Sequence, residues 1–129
     1  MAHPNEETLR AAYAAFALGD LEGYLKFCAD DITFHVPGRG RVAGDYTREQ
    51  FVSPFISTVI EETNGTFRET VIGAVANDEH GVVLASHTFE RSGRTHTYET
   101  AHVYRIRDGK LASFAEYPAD LYAFDEAWG

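Results

Sequence analysis

The chain has 129 residues, 11 Lys+Arg against 20 Asp+Glu, a formal net charge of −9 and 44% hydrophobic residues. That length fits one domain over residues 1–129, and that apolar content can fill a core, which excludes disorder as the overall state. The negative charge repels phosphate backbones and anionic headgroups, so neither nucleic acid nor a membrane surface is an expected partner.

The N-terminus carries no basic stretch followed by an apolar one, and no apolar run approaches the roughly 20 residues of a membrane span. A cytoplasmic location is therefore expected. The single cysteine, Cys28, excludes an internal disulfide and a multi-cysteine zinc site, and reads as a small buried hydrophobe.

Leu9, Ala12, Tyr13 and Phe16 recur at helical spacing and predict an amphipathic helix. Gly19 suits the left-handed residue that ends it, and Asp20 suits the cap of a short second helix carrying Leu21, Tyr24, Leu25 and Phe27. Ile32–Val36 alternates and predicts a strand, followed by a turn over Pro37–Gly40. Thr47 and Gln50 fit a capping box for a third helix with Phe51, Phe55, Ile56 and Val59 on one face. Pro54 should kink that helix or restart it behind Ser53. The second half predicts an antiparallel meander over about 66–76, 81–91, 95–107 and 110–117, punctuated by Asn77-Asp78, Ser92-Gly93 and Asp108-Gly109. The tail from Leu121 to Trp128 reads as a short helix or a docked apolar arm. Helices first and a meander last is an α+β pattern, expected here as a cone-like curved antiparallel sheet wrapped around three N-terminal helices, with a pocket at the open end.

This order of elements resembles the nuclear transport factor two-like superfamily (the cystatin-like α+β barrel), and within it the SnoaL-like polyketide cyclase and ketosteroid isomerase-like branches. The strings that carry the resemblance are Ala17-Leu18-Gly19-Asp20-Leu21-Glu22-Gly23, Ala29-Asp30-Asp31-Ile32-Thr33-Phe34, Val36-Pro37-Gly38 and Arg107-Asp108-Gly109-Lys110-Leu111. The fold hosts many activities, so function must be read from the pocket. Against ketosteroid isomerases, the oxyanion Tyr of the first helix falls on Ala12, one residue from Tyr13. The general-base Asp falls on Val36 and the protonated Asp on His102, so steroid isomerisation is not expected. Against limonene epoxide hydrolases, Glu116-Tyr117 matches the acidic-Tyr pair, His35 replaces an Asn, and His87 and Phe89 replace the Arg and Asp of the water-activating network. Against SnoaL-like cyclases, the late acidic acid/base residue corresponds to Glu116. The resemblance also implies a homodimer through the outer face of the sheet, where Thr97, Glu99, Ala101, Val103 and Arg105 share one parity.

Strand parity gives the candidate site independently. Tyr98, Thr100, His102, Tyr104 and Ile106 share a face, as do Val83, Ala85, His87 and Phe89, and as do Phe114 and Glu116. If these faces are concave, two imidazoles and a carboxylate meet in an aromatic cavity. His102, His87 and Glu116 are the catalytic candidates, with His35, Tyr104, Phe89, Tyr98, Tyr13 and Tyr117 lining the pocket. For His35 the apolar Ile32, Phe34 and Val36 compete for the inward face of its strand. Imidazole exchanges protons near neutrality, and burial in apolar surroundings is expected to raise a carboxylate such as Glu116 toward that range. Tyr104 or Tyr98 would stabilise an oxyanion. The expected reaction is acid/base chemistry without a cofactor, an isomerisation, cyclisation, dehydration or hydrolysis of a small apolar oxygenated molecule. The alternatives are a non-catalytic ligand-binding or dimerisation module and a zinc or iron site using His35, His87, His102 and Glu116, for which no His-x-His or His-x-x-x-His spacing exists.

Overall fold

The computed structural model describes residues 2–129. Helix α1 (Pro4–Ala17) ends as the sequence predicts, with Gly19 at φ 76°. Helix α2 (Leu21–Leu25) is capped by Asp20, whose carboxylate accepts from Gly23 N at 2.8 Å. Strand β1 runs over Cys28–Val36, four residues earlier than its apolar alternation begins. A three-residue strand, β2 (Gly44–Tyr46), follows it. Thr47 and Gln50 close the capping box of α3 (Arg48–Gln50). The chain then kinks at Ser53 (φ −148°, ψ 122°) before Pro54, and resumes as α4 (Ser57–Thr63). The four meander strands are β3 (Arg68–Ala76), β4 (His80–Arg91), β5 (Arg94–Arg107) and β6 (Lys110–Pro118). Helix α5 (Leu121–Trp128), capped by Asp120, ends the chain.

The six strands form one curved sheet in the order β2-β1-β6-β5-β4-β3. The meander is antiparallel throughout, as predicted, and β1 is the exception in the sheet because it joins β6 in parallel. Asp108 and Gly109 both take positive φ (53° and 73°), the geometry of a two-residue hairpin turn. The register shifts between Val71 and Gly73 and between Arg105 and Ile106, irregularities of the kind that bend a sheet.

The bend encloses the core against the helices. Phe34 stacks on Phe51 at 4.5 Å, and Tyr24 stacks on Phe51 at 5.2 Å, tying β1, α2 and the kinked segment together. Each such fully buried ring contributes roughly 1.5–3 kcal/mol by leaving water. Helix α5 closes the opposite end. Trp128 lies 4.4 Å from Phe89, ring centre to ring centre, and its carbonyl accepts from Arg41 N at 2.7 Å. Gly40 permits that approach, since a Cβ there would sit 2.6 Å from Trp128 Cβ. Among the described residues no helix is long and apolar enough to cross a membrane.

Candidate functional site

The strict alternation of β5 turns Tyr98, Thr100, His102, Tyr104 and Ile106 inward, all buried, while Thr97, Glu99 and Arg105 face out and Ala101 and Val103 are half-buried on that outer face. Register then creates two carboxylate–imidazole pairs. Glu69 on β3 stands opposite His87 on β4, and His102 on β5 stands opposite Glu116 on β6. His87 Nε2 lies 2.7 Å from Glu69 Oε2, and His102 Nε2 lies 3.4 Å from Glu116 Oε2. The pairs also approach each other, with His87 Nδ1 3.8 Å from Glu116 Oε2 and His102 Nδ1 3.9 Å from Glu69 Oε2. The four side chains are no more than 10% exposed.

Two hydrogen-bonded chains lead into these pairs. Trp128 Nε1–H donates to Tyr98 Oη at 2.9 Å, and Tyr98 Oη lies 3.1 Å from His87 Nδ1. Because indole only donates, the Tyr98 hydroxyl proton is free to point at His87 Nδ1. The Glu69 carboxylate, which can only accept, fixes the imidazole proton on Nε2 and leaves Nδ1 as the acceptor. On the other side Tyr24 Oη, Tyr104 Oη, Tyr13 Oη and His102 Nδ1 follow one another at 2.8, 2.7 and 2.6 Å. Thr100 Oγ1 donates to Glu116 Oε2 at 3.0 Å. All these contacts use Oε2 of each carboxylate, so Oε1 of Glu69 and of Glu116 has no protein partner among the described residues and keeps access to solvent through the cavity.

Burial opposes charge on His102, but the hydrogen bond and charge of Glu116, with the charge of Glu69, outweigh it and raise the imidazole above its ordinary value of 6.5. Burial likewise pushes Glu116 up, yet His102, His87 and Thr100 outweigh it and hold the carboxyl below its ordinary 4.5. The expected upward shift of Glu116 is thus reversed, because the strand opposite supplies an imidazole in place of hydrocarbon. Burial raises Tyr13, Tyr24, Tyr104 and Tyr98 well above the usual phenol, so all four stay neutral hydroxyls.

A cavity borders this cluster, with about 60 Å³ of space reachable by the centre of a water molecule. That holds a few waters or one compact head group. Its walls are aromatic and aliphatic side chains of α1, α2, the kinked segment and α4, and its floor is Glu69, His87, His102 and Glu116. The half-buried Phe16, Phe55 and Phe67 are the most exposed of the rings around it.

The model of the SnoaL-like domain matches residues 9–114. The chain belongs to this SnoaL-like family. Uncharacterised proteins of Mycobacterium bovis and Mycobacterium tuberculosis are 26% identical over 124 residues, covering 95% of this chain and 94% of theirs. Among solved structures, Bal32a from a soil-derived mobile gene cassette matches with a TM-score of 0.90 and 30% identity over 99% of this chain and 98% of its own. TerC, co-crystallised with polyporic acid, matches with a TM-score of 0.83 and 25% identity over 96% and 97%. A protein with a cystatin-like fold from Xanthomonas campestris, at 22% identity and a TM-score of 0.85 over 100% and 99%, shares the fold.

Of the residues singled out in the sequence of this SnoaL-like domain, His87, His102, Glu116, Tyr104 and Tyr13 line the cavity. Four others do not. His35 points outward, its Nδ1 2.6 Å from Asp45 Oδ1, because Ile32, Phe34 and Val36 take the inward face of β1. It therefore also drops out of the alternative zinc or iron set. Tyr117 is 60% exposed, one residue out of phase with Glu116. Phe89 faces inward but is covered by Trp128, and Tyr98 lies behind His87 as its hydrogen-bond partner. Besides apolar wall residues, two polar lining residues were absent from the sequence-derived set. Tyr24 reads as an apolar residue of α2, and Glu69 sits between polar Arg68 and Thr70. The usable signal for Glu69 is its phase, two residues from Phe67 and from Val71 on the same face. Glu69, His87 and His102 place one donor atom each within 4.8 Å of one another, so they are the set able to hold a divalent ion.

Proposed function

We propose that this SnoaL-like protein is a cofactor-independent acid/base enzyme acting on a small apolar oxygenated molecule. The observation that carries the reading is the convergence of two buried carboxylate–imidazole pairs on one apolar-walled cavity. A carboxylate oxygen takes a proton from one atom of the substrate and returns it to another, while the paired imidazole, donating through Nε2–H, orients the carboxylate. No step requires an external redox partner. Isomerisation, cyclisation, dehydration and hydrolysis all use these elements. The co-crystallisation of TerC with polyporic acid supports a small-molecule ligand for this chain. The test is turnover or solvent-deuterium exchange across a panel of apolar ketones, enols and esters. Wild type should accelerate conversion of a responsive compound, and Glu116→Gln and Glu69→Gln should each slow it about a hundredfold or more. Unchanged turnover in both variants overturns the assignment.

One observation favours a binding module without turnover: both ring nitrogens of His87 and of His102 already have partners. Saturable binding of a ligand that is never transformed would select that reading.

The homodimer belongs to the same proposal. Two apolar rows cross the outer face of the sheet. Leu84, Ala101 and Tyr117 stand side by side, and Val75, Val82, Val103 and Ala115 form the second row. Leu84, Val75 and Tyr117 are exposed at 48%, 65% and 60%. Such a face suits a second copy of the chain. Light scattering should give twice the mass of the 14.4 kDa chain, and Leu84→Glu should return the chain mass. A wild-type monomer at micromolar concentration overturns it.

A further inference from the structure

Donor and acceptor counting at the cavity floor says what kind of head group fits there. With His102 neutral, each hydroxyl of the Tyr24–Tyr104–Tyr13 chain donates to the next, Tyr13 donates to His102 Nδ1, and His102 Nε2–H donates to Glu116. The Trp128–Tyr98–His87 chain spends its last proton on Glu69, and Thr100 spends its own on Glu116. Every donor is then consumed, while Oε1 of Glu69 and Oε1 of Glu116 stay unengaged. With His102 protonated, the tyrosine chain reverses and frees one hydroxyl, at Tyr24. Acceptors still outnumber donors, and the floor presents the two carboxyl groups of Glu69 and Glu116. No Lys or Arg lines the cavity among the described residues.

We infer that the cavity takes an aromatic or apolar molecule whose entering end carries O–H or N–H donors and no negative charge: a phenol, an enol or an ammonium. An entering carboxylate or phosphate would meet two carboxylates between apolar walls. An ether or ketone would leave the Oε1 atoms without a donor. Phe16, Phe51, Phe55 and Phe67 supply flat apolar walls, which also accommodate a cation over a ring face. This rests on the acid/base reading of the same site and narrows its substrate class.

The test compares phenol, benzylammonium, anisole and benzoate as ligands of the full chain, by isothermal titration and ligand-observed NMR at neutral pH. At least one donor probe should bind about tenfold or more tightly than anisole and benzoate, the size expected when a charged acceptor loses its donor. Phenol ahead of benzylammonium identifies a hydroxyl head group, and the reverse identifies an ammonium. Glu116→Gln or Glu69→Gln, whichever keeps the wild-type circular dichroism, should shrink the preference. Anisole or benzoate binding as tightly as both donor probes overturns the inference and leaves the acid/base reading standing. Saturation by none of the four, with the protein folded, also overturns the inference, while the acid/base reading is decided separately by turnover in Glu116→Gln and Glu69→Gln.

Discussion

His102 sits between a carboxylate and a phenol, with Nε2 3.4 Å from Glu116 Oε2 and Nδ1 2.6 Å from Tyr13 Oη. Glu116 and His102 shift each other in opposite directions, the carboxyl down and the imidazole up. Both arise from the same contact, so the pair behaves as one titrating unit.

Stability should therefore peak at mildly acid pH. The raised His102 contributes stability fully below its unfolded value near 6.5, and loses it as pH rises through the folded value. The lowered Glu116 contributes stability above its unfolded value near 4.5, and loses it as pH falls through the folded value. The two contributions are complete together between those limits. Urea unfolding across pH should show its highest unfolding free energy from this pair there, and a Glu116→Gln, His102→Gln double variant should flatten that part of the profile.

Glu69 should fix the tautomer of His87. Its carboxylate, 2.7 Å from Nε2, can only accept, so it holds the ring proton there and leaves Nδ1 to accept from Tyr98. In 15N NMR the wild-type ring should be the Nε2–H form, and Glu69→Gln, whose amide donates as well as accepts, should show a mixture. An unchanged tautomer in that variant would remove Glu69 from the relay. Trp128→Phe should keep the Nε2–H form, at a cost of about 1 kcal/mol for the lost hydrogen bond to Tyr98.

Cys28 should be chemically silent in the native protein. Burial pushes its thiol up to about 12, against the smaller opposing pull of Arg48. An aromatic disulfide reagent at pH 8 should leave it unmodified until urea unfolds the chain, and then label it stoichiometrically.

Much of this architecture is legible in the amino-acid order because the period is strict where the site is built. Five alternating residues of β5 point inward as parity requires, and the turn at Asp108-Gly109 sets how β5 meets β6. Parity says which face a residue takes, but not which residue stands opposite. The pairing of Glu69 with His87 depends on a bulge at Ile72, between Val71 and Gly73, that no local pattern announces. Nor does alternation reveal what covers a face. Phe89 and Tyr98 have the predicted phase, and Trp128, far along the chain, is what separates Phe89 from the cavity. Strand β2 is too short to carry a period, and β1 begins at Cys28, ahead of polar Asp30 and Asp31 that interrupt its apolar alternation and stand where its register with β6 shifts.

The protonation of His102 tests the account most directly, because the proposed chemistry needs a proton held between His102 and Glu116. An NMR titration of the His102 ring should give a midpoint above 6.5 in the wild type and a lower one in Glu116→Gln. A wild-type midpoint at or below that value, unmoved by the substitution, would contradict the paired site and the function built on it.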